Sequence, residues 1–491
     1  MLRRSLPLLT LLLLATITAQ AAEPVLVVTP RAQALPASAT NHPFLAAGQA
    51  MQPVNLAARG YVESEFAVTG GAAIHEWAGQ GAEPQAANLP YATRMLVRQP
   101  QSATRFSGRV IVELLDGSPG YDTAPLWGLS WDYFTRHGDV WVGVTVRPAA
   151  IAALRRFDSV RYESMSLTAK RDGACVNAAG ADVESGLAWD VIAQVGALLR
   201  SSSKENPLLI LKPQRIIAAG YGQSGGYVLT YANAVHAVQR LGDGAPIYDG
   251  FLSAASVGAV PLHACAAELP ANDARRGVPP RDVPFVEVLT ESEALGAAQK
   301  EDSDADNDVF RRYEVAGAAR YGLSAASQPA AADLSIAGVQ PPAEGLCREP
   351  RSNFSAAPAF NAIWQQYDDL LSQKKPMNRE PRIAIEAGAL LRDEVGNARG
   401  GWRLPAIEVP LGAYHGSGTP RSDEARARLL CSATGSAQPM TVAALKARYG
   451  SRVEYLRRFN AAVDEAQRQR RLLAEDATAL KQQLQRTAPA F

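Results

Sequence analysis

The most constraining feature of this sequence is the five-residue run Gly222-Gln223-Ser224-Gly225-Gly226, placed between two runs of different period. Before it, Arg215 to Ala219 (RIIAA) is a short apolar strand pattern; after it, Tyr227, Val228, Tyr231 and Val235 recur at helical spacing. A strand that turns at once into a helix is the elementary unit of a parallel sheet, because parallel neighbours need a crossover. The rest of the chain repeats this grammar. Arg109 to Leu115 (RVIVELL) and Val140 to Val146 (VWVGVTV) are almost continuously apolar, as strands buried on both faces are. Leu187, Val191, Val195 and Leu198 mark a helix over 187–199, and further strands are predicted at Phe285 to Leu289, Arg312 to Val315 and near Ile407 to Val409. The fold class that follows is α/β, a mostly parallel central sheet flanked by helices.

Gly222 to Gly226 fit the pattern GxSxG, and the strand-turn-helix context points to a nucleophile elbow of the α/β-hydrolase type. Ser224 is then the candidate nucleophile. The glycines leave room where strand and helix meet, and the helix amino end offers free N–H groups to a developing oxyanion. Gly225 is one candidate oxyanion donor. The second comes from the loop after an earlier strand, and Asp116-Gly117-Ser118-Pro119-Gly120 follows Arg109 to Leu115 directly. Proline has no N–H, so Gly117 or Ser118 is the candidate.

The acid that orients a catalytic histidine follows the nucleophile in chain order, at the end of a later strand. Glu291 and Glu293, in Thr290-Glu291-Ser292-Glu293, both satisfy this. The chain has six histidines, and only His415 lies beyond Glu293. His415 sits in Ala413-Tyr414-His415-Gly416-Ser417-Gly418, read as a glycine-flanked loop. Such a site acts on a small-molecule acyl substrate through an acyl-enzyme and needs no cofactor.

At 491 residues the chain exceeds the roughly 100–150-residue modal domain several-fold, so a large core with insertions is expected, over 60–486 with insertions near 147–184 and 253–282. Residues 22–59, rich in Ala and Pro, read as an irregular lead-in. From 441 to 486 the sequence is helical, with Ser451 and Glu454 as a capping box and Val453, Leu456, Phe459 and Val463 as an apolar stripe. The net charge of +1 offers no field for a nucleic acid.

Arg3 and Arg4, the apolar run Leu6 to Ile17, and Ala19-Gln20-Ala21 form an export-signal pattern, with cleavage expected after Ala21. The mature form is thus expected in the periplasm or outside the cell, without a membrane span. Cys175, Cys265, Cys347 and Cys431 contain no CxxC pair and read as disulfide cysteines. Three pairings are possible; Cys175 with Cys265 and Cys347 with Cys431 is the one preferred. The acidic run Asp302 to Asp308 has carboxylates at alternate positions, but Asn307 and Tyr313 replace the glycine and glutamate of a calcium loop, so an acidic surface loop is expected and no metal.

The stretches FSGRVIVELLDGSPGYDTAPLW, ALRRFDSVRYESM, GLAWDVIAQVGALLR, AAGYGQSGGYVLTYANAVH and RRYEVAGAAR, with GYVESEFAVTGGA, YATRMLVRQP and PIYDGFL, together resemble a bacterial α/β-hydrolase domain family from about Gly60 onward. The resemblance implies a hydrolase fold with Ser224 as nucleophile and Glu293 as acid. It also implies that the catalytic histidine should follow the Val315 strand, where this sequence has Arg320. An arginine stays protonated and is no general base. Either His415 serves instead, or the chain is a catalytically impaired ligand-binding protein on a hydrolase fold.

Overall fold

The computed structural model describes residues 25–38, 41–169, 186–256, 258–270, 272–296, 300–322, 325–340 and 345–491. The export-signal pattern and Cys175 lie outside them.

A ten-stranded sheet organises the chain. Six strands run parallel through its centre, in the order Asp308–Val315, Arg281–Thr290, Gly250–Ala254, Arg215–Tyr221, Arg109–Leu114 and Val140–Val144. The two apolar runs read as central strands are central, and every residue of both is buried. Helices Pro125–His137, Ala188–Arg200 and Ala357–Gln373 contribute their buried side chains to the same continuous core as the strands. This is the α/β architecture the alternating periods predict.

Glu113 breaks the apolar rule within a central strand. Glu113 is fully buried on the Arg109–Leu114 strand, where its carboxylate accepts the N–H groups of Leu126 (2.8 Å) and Trp127 (2.9 Å) and the indole N–H of Trp141 (2.7 Å). Two of these donors are the free amides at the start of helix Pro125–His137, so Glu113 caps that helix from the sheet beneath it.

The antiparallel flank of the sheet was not legible. Tyr61–Ala78 and Gly81–Pro100 form a long hairpin that joins the centre through Val140–Val144, with register shifts between Ala72 and His75. Glycine, alanine and proline are frequent in it, and these residues carry little strand signal. The lead-in is also more ordered than its composition suggests. Arg31–Ala34 adds an edge strand to the hairpin, and Phe44, Leu45, Ala47 and Val54 lie in the main core. Arg94 and Arg98 hold this segment by donating to the Phe44 and Leu45 carbonyls.

Three further expectations are corrected. Ile407 to Val409 is not a strand: Pro405 opens a one-turn helix, Pro405–Glu408, with its fixed φ at a helix start. His415 is not in a loop but ends the strand Gly412–His415, which pairs antiparallel with Ser436–Pro439. Val453 is not part of the apolar stripe; it is exposed in the first turn of helix Arg452–Arg468, whereas Leu456, Phe459 and Val463 are buried. Ser451 caps that helix through its side chain as expected. Helices Val442–Tyr449, Arg452–Arg468 and Ala474–Thr487 share a small core of their own.

The acidic run is a hairpin turn, not a free loop. Ser303–Ala305 pairs with the Asp308–Val315 strand, Asp304 is bound by Arg311 and Arg379, and Asp302 by Arg382. Guanidinium groups take the carboxylates that a cation would need. Cys347 and Cys431 form a disulfide. Cys265 is disulfide-bonded as well, its preferred partner Cys175 lying outside the described residues.

Candidate active site

The parallel strands bring their carboxyl ends to one rim, and there the Arg215–Tyr221 strand turns into helix Gln223–Thr230. The turn is made at Gly222, with φ 62° and ψ −123°, a conformation open to glycine and strained for any other residue. Its N–H donates to the Ala254 carbonyl at 2.8 Å, which anchors the turn to the next strand. The helix begins at Gln223, and Ser224 is its second residue.

That register decides where the candidate nucleophile lies. Ser224 is wholly buried, and its hydroxyl donates to the Leu115 carbonyl at 2.8 Å, binding the helix to the end of the neighbouring strand. In a nucleophile elbow the reacting side chain projects from the strained turn itself. Here the strained residue is Gly222, two positions earlier, and it has no side chain to project. The neighbouring glycines serve packing. A Cβ on Gly225 would lie 2.8 Å from the Ala254 carbonyl oxygen, and one on Gly220 would collide with the Ser224 carbonyl oxygen.

The other site residues divide into two groups. Glu293 and Arg320 meet: Arg320 Nε donates to Glu293 Oε1 at 2.9 Å, while the second carboxylate oxygen takes the Thr290 amide at 3.0 Å. The Tyr221 hydroxyl donates to the Arg320 carbonyl at 2.8 Å, so this pair is tied to the residue just before Gly222. Burial raises the Glu293 carboxyl above its ordinary range, against the opposing charge of Arg320. Glu291 is engaged elsewhere, with Arg392 (2.8 Å) and the Gly317 amide (2.8 Å).

His415 stands apart. Its Nε2 is hydrogen-bonded to the Gly396 carbonyl at 2.9 Å, and the structure does not join it to Ser224 or Glu293. The remaining histidines are held at other places: His42 on Asp333, His75 on Asp190, His137 on the Tyr133 carbonyl, His236 on Asp282 and His263 on Glu76. None of these contacts lies at the turn.

Of the candidate oxyanion donors, Ser118 has its N–H committed to Asp116 Oδ1 at 3.1 Å, and its hydroxyl donates to the same oxygen. Gly117 is buried against Arg147, whose Cβ lies 3.2 Å from where a Gly117 Cβ would stand.

Two residues were missed in the sequence, Asp116 and Arg147. A Cβ on Gly222 would lie 3.2 Å from Asp116 Oδ2, so the Asp116 carboxylate faces the place where the elbow side chain would stand. Burial raises the Asp116 carboxyl, and the Ser118 bonds and the charges of Arg147 and Arg320 oppose the rise. Arg147 donates to the Gln223 side-chain carbonyl. Asp116 lay in the quoted loop but offered no local signal, since its role depends on a turn more than a hundred residues away.

The model of an alpha/beta hydrolase domain family matches residues 27–482. The chain belongs to that α/β-hydrolase family. Among solved structures, this α/β-hydrolase is similar to a putative carboxylesterase from Lactobacillus plantarum WCFS1 (15% identity, 45% of this chain and 81% of that one, TM-score 0.27). It is also similar to LpqC, a poly(3-hydroxybutyrate) depolymerase from Bordetella parapertussis (11%, 59% and 88%, TM-score 0.29), and to the serine hydrolase XC6422 from Xanthomonas campestris (11%, 50% and 84%, TM-score 0.25). No curated protein matches it.

Proposed function

We infer that this α/β-hydrolase is a ligand-binding protein that has lost serine catalysis while keeping the site in which its family performs it. One observation carries the reading: the strained elbow position is occupied by Gly222, which has no nucleophile. The contact of Glu293 with Arg320 supports it, because the acid that would orient an imidazole holds a permanent cation instead. Ser224 is then a structural residue that fastens the elbow helix to Leu115.

The family match favours a second reading, hydrolysis of a carboxylic ester or related acyl compound with Ser224 as nucleophile, Glu293 as acid and His415 as base. That mechanism requires the Ser224 hydroxyl to leave the Leu115 carbonyl and His415 to leave Gly396. Either function is placed in the periplasm or outside the cell. The signal pattern supports export, the Cys347–Cys431 disulfide fits an oxidising compartment, and no helix among the described residues is long and apolar enough to cross a membrane.

A fluorophosphonate probe separates the readings. The binding-protein reading expects no labelling of the wild type and none of Ser224→Ala, whose lost hydrogen bond lowers stability by about 1 kcal/mol. It expects the double variant Gly222→Ser with Arg320→His to gain labelling at residue 222. Labelling of the wild type that disappears in Ser224→Ala would overturn it in favour of ester hydrolysis.

A further inference from the structure

The groups around the vacant elbow are not a random polar rim. Asp116 is buried, with Oδ1 saturated by Ser118, and Oδ2 turned to the space beside Gly222. Arg147 is partly buried and spends one N–H on the neutral Gln223 amide; among the described residues it makes no carboxylate ion pair and its Nε has no hydrogen-bond acceptor. Arg320 differs, since Glu293 compensates it. Arg147 is therefore the cation of the site with no direct carboxylate contact, balanced only at a distance by Asp116 and by the face of the Tyr227 ring, so it keeps N–H groups to offer an anion. The first amides of helix Gln223–Thr230 add partial positive charge on the same side.

Resting on the binding-protein reading above, we propose that the vacant elbow recognises a hydroxylated organic acid, whose carboxylate is held by Arg147 at the helix amino end and whose hydroxyl donates to Asp116 Oδ2. The carboxylate displaces the Gln223 side-chain carbonyl from Arg147. A hydroxyl fits Asp116 better than an ammonium group does, because Arg147 and Arg320 both act on that carboxylate and repel a second cation. Gly222 is part of the design: a side chain there would stand 3.2 Å from Asp116 Oδ2 and fill the place of the ligand hydroxyl.

Isothermal titration of the mature protein with lactate, propionate and methyl lactate tests this, with no turnover needed. Two or three charge-assisted hydrogen bonds support roughly millimolar affinity for lactate. Propionate lacks the hydroxyl and methyl lactate the charge, and each is expected to bind about tenfold more weakly. Arg147→Met should weaken lactate at least about tenfold, and Asp116→Asn should erase the preference for lactate over propionate. Gln223→Ala frees Arg147 and should tighten lactate several-fold, a gain that misfolding cannot produce. Equal binding of the three probes, no binding of lactate, or a Gln223→Ala variant no tighter than wild type would overturn the proposal. An inert fluorophosphonate result alongside that failure leaves the binding-protein reading standing; labelling at Ser224 overturns the reading itself.

Discussion

Arg320 and Glu293 form an ion pair at 2.9 Å, with the carboxylate side chain almost wholly buried and the guanidinium one-fifth exposed. In this α/β-hydrolase the pair stands one residue from the elbow through the Tyr221 hydroxyl, so a guanidinium occupies one Glu293 oxygen beside the turn.

Removing one partner of this pair should cost more than removing a surface charge. Arg320→Ala leaves Glu293 buried without its cation and is expected to lower the unfolding free energy by about 2 kcal/mol at neutral pH, measured by urea denaturation. The loss should shrink as the pH falls and Glu293 takes up a proton. A loss of the same size at low and neutral pH would show that Arg320 acts through packing alone.

Glu113 predicts a pH dependence of the opposite kind to an ordinary surface carboxylate. Burial raises its carboxyl from 4.5 to about 7, against three N–H donors that favour the charged form. The folded chain therefore holds this proton more tightly than the unfolded one. Its contribution to stability is complete below about pH 4.5 and is lost as the pH rises through about 7, a change of about 3 kcal/mol. Glu113→Gln cannot titrate, so the stability difference between wild type and variant should drift by that amount between pH 4.5 and 8. Parallel pH profiles would contradict the assignment.

The Cys347–Cys431 disulfide joins residues 84 apart in sequence. A loop of that size restricts the unfolded chain enough that the double variant Cys347→Ser with Cys431→Ser should lose about 4 kcal/mol, read as a lowered melting temperature under non-reducing conditions. Addition of a reductant to the wild type should produce a shift in the same direction. A variant that melts with the wild type would show that packing alone holds the segment.

Much of the sheet could be read from local pattern. The RVIVELL and VWVGVTV runs are central strands, and the elbow strand and helix stand on either side of the glycine-rich turn, because period and apolarity are properties of short segments. The hairpin of Tyr61–Ala78 with Gly81–Pro100 escaped the same reading, since its strands are specified by pairing with each other and, for Gly81–Pro100, with Val140–Val144 rather than by their own composition. His415 was singled out by chain order, which records sequence and not direction; its strand turns the ring to Gly396.

By itself, then, the sequence determined that a strand becomes a helix around the Gly222 to Gly226 run, and that glycine is needed where backbone meets backbone. It did not determine which residue of that turn sits in the strained position. Tertiary structure decided this in favour of Gly222. The last ladder bonds of the elbow strand to its neighbours, and the Gly222 amide on Ala254, set where the strand stops, and the helix then starts at Gln223 with Ser224 turned inward to Leu115. A pattern of five residues looks the same in either register, whereas those bonds come from strands distant in sequence, and a shift of two residues separates a side chain on the strained turn from a serine buried against Leu115.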